Sequence, residues 1–420
     1  MASVVFYFQV HQPHRLRRYS VFAEDPFYFE DSKNEEICRK VTDKCYRPTT
    51  QLILDLVRRH EGNFRVSYSI TGTVLDQLER WNPEVIELFQ ALAATGCVEF
   101  LAETYYHSLS FLYSKQEFQE QIEMHTKRVE SLFGVTPHVF RDTELIYSNE
   151  VGRALSEMRD AEGKRRFYGT LCEGVDRLLS FRSPNYVYAP PGGLLGRDDR
   201  PFGLLLKNYR LSDDIAFRFG NRGWEEWPLR AERFAEWVHQ INGDGYLCNL
   251  FMDYETFGEH QWADTGIFEF MGKLPEAIFD VAPGENHFIT PSEALRQFTP
   301  LGEYDVHDFI SWADTERDLT AWKGNAMQDN ALEETYRLEP KIRSRLVEAK
   351  TATQREHAEH LLADWRKLTT SDHFYYMCTK YFADGDVHKY FNPYDSPYDS
   401  YINFMNVLDN VRTRANEIVD

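Results

Sequence analysis

Along the first 300 residues, short apolar runs alternate with stretches in which apolar positions recur every third or fourth residue. The runs predict strands at 4–10, 64–70, 98–102, 138–143, 167–171, a segment within 204–215, and 246–252. The stretches between them predict amphipathic helices with legible ends. Asn82-Pro83 opens one helix and Gly96 stops it; Ser114 and Glu117 form a capping box on another, which Gly134 closes. Strands that read as nearly continuous apolar runs are buried on both faces, the signature of parallel strands covered by helices. About seven such strands place the chain in the α/β class.

After residue 300 the pattern changes. Residues 331–370 are charged and helical, with Ile342, Leu346, Leu361, Leu362, Trp365 and Leu368 at helical spacing, and 401–419 predicts another amphipathic helix. Between them lie an aromatic, polar stretch at 370–377 and a local repeat, Pro393-Tyr394-Asp395-Ser396 then Pro397-Tyr398-Asp399-Ser400. The repeat predicts two successive turns. The expected organisation is a catalytic unit over 1–300 and a helical unit over 301–420 that completes the active-site cleft.

Candidate chemistry sits at the strand exits, which read His11, Thr71, Glu103, Glu144, Glu173, Asp213 or Asp214, and Asp253. A carboxylate ending an apolar strand does not help folding, because desolvating it is costly unless it is paired. One or two such residues serve as helix N-caps; polar groups at every exit mark the catalytic face of a parallel barrel. Glu144 and Asp253 together suggest a site where one carboxyl attacks or stabilises while the other moves a proton. The competing reading of Glu144 is a strand-end acid paired with Arg141.

Composition narrows the partners. A formal charge of −20 argues against nucleic acid and anionic lipid, and favours a neutral substrate. Aromatic content of 15% fits either packed cores or flat surfaces for stacking. No signal-like N-terminus and no membrane-length apolar run is visible, and the six cysteines show no CxxC pair or zinc spacing. Cys97, Cys172 and Cys248 fall in apparent strands as buried free thiols. A cytoplasmic, reduced protein without cofactor or metal is expected; its oligomeric state is not specified.

Five segments in order carry a more specific signal. They are Gln9-Val10-His11-Gln12-Pro13, the stretch from Gly96 to His107, the Glu144 and Asp253 segments, and Thr370 to Met377. Together they resemble glycoside hydrolase family 57, nearest to its α-amylase-like members. The resemblance implies a seven-stranded (β/α)7 distorted TIM-like barrel followed by helices. It also implies a retaining mechanism on α-glucans, with Glu144 as nucleophile and Asp253 as general acid/base. Retention requires one ionised and one protonated carboxyl about 5–5.5 Å apart. Some members carry a second His two residues before His-Gln-Pro; here Gln9 stands there, a departure that bears on the sugar contacts at that exit.

Further substrate contacts have structural alternatives. His11 can hydrogen-bond a sugar hydroxyl, bind metal or cap its strand, and His107 shares that claim. Glu99 can point inward to hold His11 or a sugar, or form a structural ion pair. Glu103, Glu255 and Glu259 add acidity near the same rim or are loop charges. Trp312, Asp314, Asp318, Trp322 and Asn325 form a polar and aromatic run suited to stacking on pyranose rings, or else both tryptophans anchor the helical unit. Asp372 and His373 divide in the same way, with His373 favoured as a cleft residue. A rival enzyme, a zinc deacetylase or mannosidase, would need His11, His107 and Asp253 to converge, though no HxxxH or HExxH spacing supports it. A 4-α-glucanotransferase would use the same catalytic pair, and a non-catalytic α-glucan-binding protein is the remaining alternative.

Overall fold

The computed structural model describes residues 2–193, 200–380 and 392–417. Strands form at β1 (Ser3–Val10), β2 (Val66–Ile70), β3 (Val98–Phe100), β4 (Val139–Arg141), β5 (Gly169–Glu173), β6 (Val187–Tyr188), β7 (Gly203–Lys207), β8 (Leu247–Asp253) and β9 (His287–Phe288). Each of the seven predicted runs contains a strand. The two-residue β6 and β9 are too short for their apolar pattern to stand out. Hydrogen bonding divides the strands into two sheets, β3-β2-β1-β8 with β9 against the start of β1, and β4-β5-β7-β6. Every pairing is parallel except β6 on β7. The sheets meet where Ala102 pairs with Phe140 and where Asn208 N–H donates to the Asn249 carbonyl at 2.9 Å.

Side-chain parity explains the continuous apolar runs. Val4, Phe6, Phe8 and Val10 of β1, with Cys248, Leu250 and Met252 of β8, pack on the covering helices. The alternate residues Val5, Tyr7, Leu247 and Phe251 meet Leu101, Val139, Leu171 and Leu205 from the other strands in one interior. Phe140, Cys172, Leu204 and Leu206 face a third apolar layer outside the second sheet. Both faces are therefore buried, as parallel strands under helices require.

After residue 300 the helices Ala326–Arg337, Glu339–Glu348, Ala352–Leu368, Ser371–Tyr375 and Pro397–Asn416 follow. They build a core on Trp322, Ile342, Leu361, Leu362, Trp365, Leu368 and Phe404 that also takes in Leu16, Tyr19, Tyr28, Leu109 and Ile146. Arg343 and Arg366 both pair with the fully buried Glu117 on the helix Lys115–Phe133, tying the two regions together. The Pro-Tyr-Asp-Ser repeat is not two turns. Its second copy opens the last helix, with Pro397 in the first turn and the Ser396 hydroxyl accepting from Asp399 N–H, the chemistry of an N-cap. All six cysteines are buried free thiols. Among the described residues no helix is long and apolar enough to cross a membrane.

Candidate active site

Following the inward parity to the strand ends gives one polar layer: Gln9, Ser69, Glu103, Arg141, Glu173, Lys207 and Asp253. All are buried except Asp253, which is partly open. On one side Tyr7 Oη donates to Gln9 Oε1 at 2.8 Å, and Gln9 Nε2 donates to Glu103 Oε1 at 3.2 Å. On the other, Lys207 lies 3.0 Å from Asp213 and 3.8 Å from Glu173, while Arg317 lies 3.0 Å from Glu173. The acids of the second sheet thus form an ion-pair network. Beyond this layer stands Glu144, its side chain about one-fifth exposed at 22%.

Glu144 follows β4 on a single tight turn, Thr143–Leu145, and has φ 58° and ψ 26°; Leu145 is also left-handed, at φ 51°. Two consecutive non-glycine residues in that region are costly, so surrounding contacts must hold them. Trp312 supplies two: its backbone N–H donates to the Glu144 carbonyl at 3.1 Å, and its indole Nε1 donates to Oε2 at 2.6 Å. The other carboxylate oxygen lies 3.3 Å from His107 Nε2 and 3.5 Å from the Ser371 hydroxyl. His107 has its Nδ1 3.2 Å from Glu103 and stacks on His11 with ring centres 4.1 Å apart. His11 Nδ1 is 2.9 Å from Thr71 Oγ1, and its Nε2 is 2.9 Å from Asp372 Oδ2.

These contacts set the charges. Burial alone would lower His107, but the carboxylates of Glu103 and Glu144 on its two ring nitrogens raise it to about 9. Burial pushes Glu144 up, yet its bond to His107, the charges of His107 and Arg141 and the Trp312 N–H leave it below the ordinary value. Asp253 is different. Burial first, and then the charge of Glu144, push it up to about 6 against the pull of Arg141, Lys207 and His107. No described residue donates a hydrogen bond to the Asp253 carboxyl. His11 is lowered by burial and by the neighbouring His107 charge, whereas Asp372 is held well below its ordinary value by His11 despite burial.

The structure thus brings together His11, His107, Glu144, Asp253, Trp312 and Asp372. Asp314 lies on the loop beyond Trp312, 3.3 Å from Lys380 Nζ. Glu144 is not paired with Arg141; among the described residues no hydrogen bond or ion pair joins them. Three expected contacts go elsewhere. Glu99 does point inward, but at the entry end of β3, where it accepts from Ser292 N–H at 2.9 Å and from the Ser292 hydroxyl at 2.5 Å on the helix Pro291–Gln297. Trp322 is 1% exposed in the helical core, and His373 packs its ring on Phe404 in the same core. Likewise Asn325 caps the helix Ala326–Arg337, Asp318 caps a turn at Thr320, and Glu259 pairs with Lys40 and Lys44. The zinc reading needed free ring nitrogens, yet those of His11 and His107 already face protein partners. Among the described residues, no three His, Cys, Asp or Glu side chains are grouped to hold a metal ion.

Sequence reasoning missed Gln9 as the prop of Glu103, the Lys207–Arg317 cations and Ser371. Arg141 it read only as a rival partner for Glu144. For Arg141 and Lys207 the available signal was a charge at an inward position of a buried strand.

A sequence model described as Glycosyl hydrolase family 57 matches residues 5–307. A Methanocaldococcus jannaschii protein described as "Putative alpha-amylase" is 40% identical over 412 residues, which cover 96% of this chain and 83% of that protein. The branching enzyme of Pyrococcus horikoshii superposes with a TM-score of 0.64 at 14% identity, covering 99% of this chain and 94% of that one. The 4-alpha-glucanotransferase of Thermococcus litoralis gives 0.57 at 15% identity, and here 97% of this chain spans 59% of that enzyme, less than two thirds of its length. Fold, motif order and these similarities agree: the chain belongs to glycoside hydrolase family 57.

Proposed function

We propose that this protein cleaves α-1,4-linked glucans (starch, glycogen or maltooligosaccharides) with retention, Glu144 acting as nucleophile and Asp253 as general acid/base. The observation that carries the reading is the asymmetry of the two carboxyls. Glu144 is held ionised by His107 and Trp312, while Asp253 has no hydrogen bond to its charged form and keeps its proton to about pH 6. Glu144 Oε attacks the anomeric carbon as the C–O bond breaks, and Asp253 gives its proton to the leaving oxygen. Asp253, now ionised, takes a proton from the incoming water, whose oxygen displaces Glu144. The two sheets are read as halves of one distorted seven-stranded barrel, joined where Ala102 meets Phe140 and Asn208 meets Asn249. Residues 301–420 complete the cleft by bringing Trp312, Asp314, Ser371 and Asp372 to it, and His11 and Asp372 present polar edges to sugar hydroxyls.

The test is the turnover of a single maltooligosaccharide by the wild type, Glu144→Gln and Asp253→Asn. Both variants are expected to lose activity, by at least about 10²–10⁴-fold in Asp253→Asn. Unchanged product formation in either removes that residue from its role. In the wild type, shorter products alone mean hydrolysis, and longer ones mean transfer to a sugar acceptor by the same pair.

A further inference from the structure

In the polar layer, Glu173, Lys207, Asp213 and Arg317 neutralise one another, and Glu103 is matched by His107 and Gln9. Among the described cations at that layer, Arg141 stands apart. It is 0% exposed, and Nε, Nη1 and Nη2 meet no hydrogen-bond acceptor on any described residue. Its guanidinium carbon lies 4.8 Å from the Trp312 ring centre, a cation–π contact that leaves the charge unneutralised. A buried cation without a carboxylate at bonding distance is costly, so stability does not account for it. An apolar residue at this inward position would pack more favourably.

We propose that Arg141 is a positioning residue for the α-glucan reaction, an unpaired buried cation set against Trp312, the side chain that donates to Glu144, and acting by its charge without touching substrate. The inference rests on the roles given above to Glu144 and Asp253. Its field reaches Tyr7 on β1, Glu103 and His107 beyond β3, Asp142 and Glu144 at the exit of β4, and Asp253 on β8. Asp253 also faces Lys207 and Glu144, and Glu144 also faces His107. Lys207 is already paired with Glu173 and Asp213, and His107 is shared between Glu103 and Glu144. Among the described residues Arg141 is therefore the uncommitted cation of the layer. A pair of buried carboxyls pushes both members toward the protonated form, and a nearby free cation keeps the nucleophile ionised and the acid no weaker than the reaction needs.

The experiment is the pH dependence of kcat/KM on maltoheptaose for the wild type, Arg141→Met and Arg141→Lys, with thermal unfolding measured alongside. Arg141→Met should move both limbs of the bell to higher pH by roughly one unit, a tenfold loss on the acidic limb. Arg141→Lys keeps the charge and should leave both limbs near their wild-type positions, even if kcat falls through poorer contact with Trp312. Limbs that stay in place in Arg141→Met while stability changes would overturn the proposal, as would equal shifts in Met and Lys. If Arg141→Met does not fold, Arg141→Gln replaces it in the same comparison. A wild type inactive on maltoheptaose would defeat the α-glucan reading itself; an active wild type with unmoved limbs defeats only the role of Arg141.

Discussion

Glu144 and Asp253 leave strands that share one interior, yet their carboxyls settle in different protonation states because their neighbours differ. Under the proposed mechanism Asp253 carries the proton and Glu144 does not, so kcat/KM should rise as Glu144 ionises, below its ordinary value, and fall as Asp253 ionises at about 6. A pH–rate profile with its maximum on the acidic side of 6 is the expected result. Glu255 provides a separate test through stability. Burial first, then the charge of Asp253, push its carboxyl up to about 8. Between its ordinary value of 4.5 and 8 the folded state holds a proton that the unfolded chain has released, so stability falls as pH rises through that window. Glu255→Gln should remove this fall, and its melting temperature relative to wild type should climb from pH 5 to pH 8. Glu144 and Asp253 were legible in the sequence because they end apolar strands, and Trp312 because it stands in a polar and aromatic run. Trp322 and His373 were not, because a buried aromatic in a helical core and one in a cleft share the same local sequence.

At the scale of the element, parity was legible and the end of the strand was not. Glu99 and Glu103 both point inward from the same stretch, but one lies at the entry end and the other at the exit. Glu99 holds the N-terminus of the helix Pro291–Gln297, whose own capping box is Thr290 with Glu293. Removing its charge with Glu99→Gln should cost about 1–3 kcal/mol, seen as a lower melting temperature with kcat/KM unchanged. A loss of kcat/KM at unchanged stability would restore Glu99 to the sugar site. The contact of β5 with β7 depends on glycine: a Cβ on Gly169 would stand 2.1 Å from the Gly203 carbonyl oxygen. Gly169→Ala should therefore destabilise by about 1–3 kcal/mol in a denaturant titration. No apolar pattern announces that requirement, because it belongs to the packing of two strands and to neither alone.

Across the whole molecule, the seven predicted strands and the late helices follow from periodicity, whereas their mutual dependence does not. The helical core borrows Leu16, Tyr19, Tyr28, Leu109 and Ile146, and Glu117 is fully buried against Arg343 and Arg366. Such long-range pairings leave no local trace in a sequence. A fragment ending at residue 300 would expose those side chains and strand Glu117 without its cations, so it should be recovered insoluble or without a cooperative melting transition. The same helices carry Ser371 to Glu144 and Asp372 to His11, so the fold and the candidate site depend on one another there. The central claim is that Glu144 forms the covalent bond to sugar. Its most direct test is to trap the enzyme with an activated fluoroglycoside of maltose and map the labelled peptide by mass spectrometry. The account predicts one glycosyl adduct on Glu144; an adduct on Asp253, or turnover of the reagent to product of inverted anomeric configuration without any adduct, would contradict it.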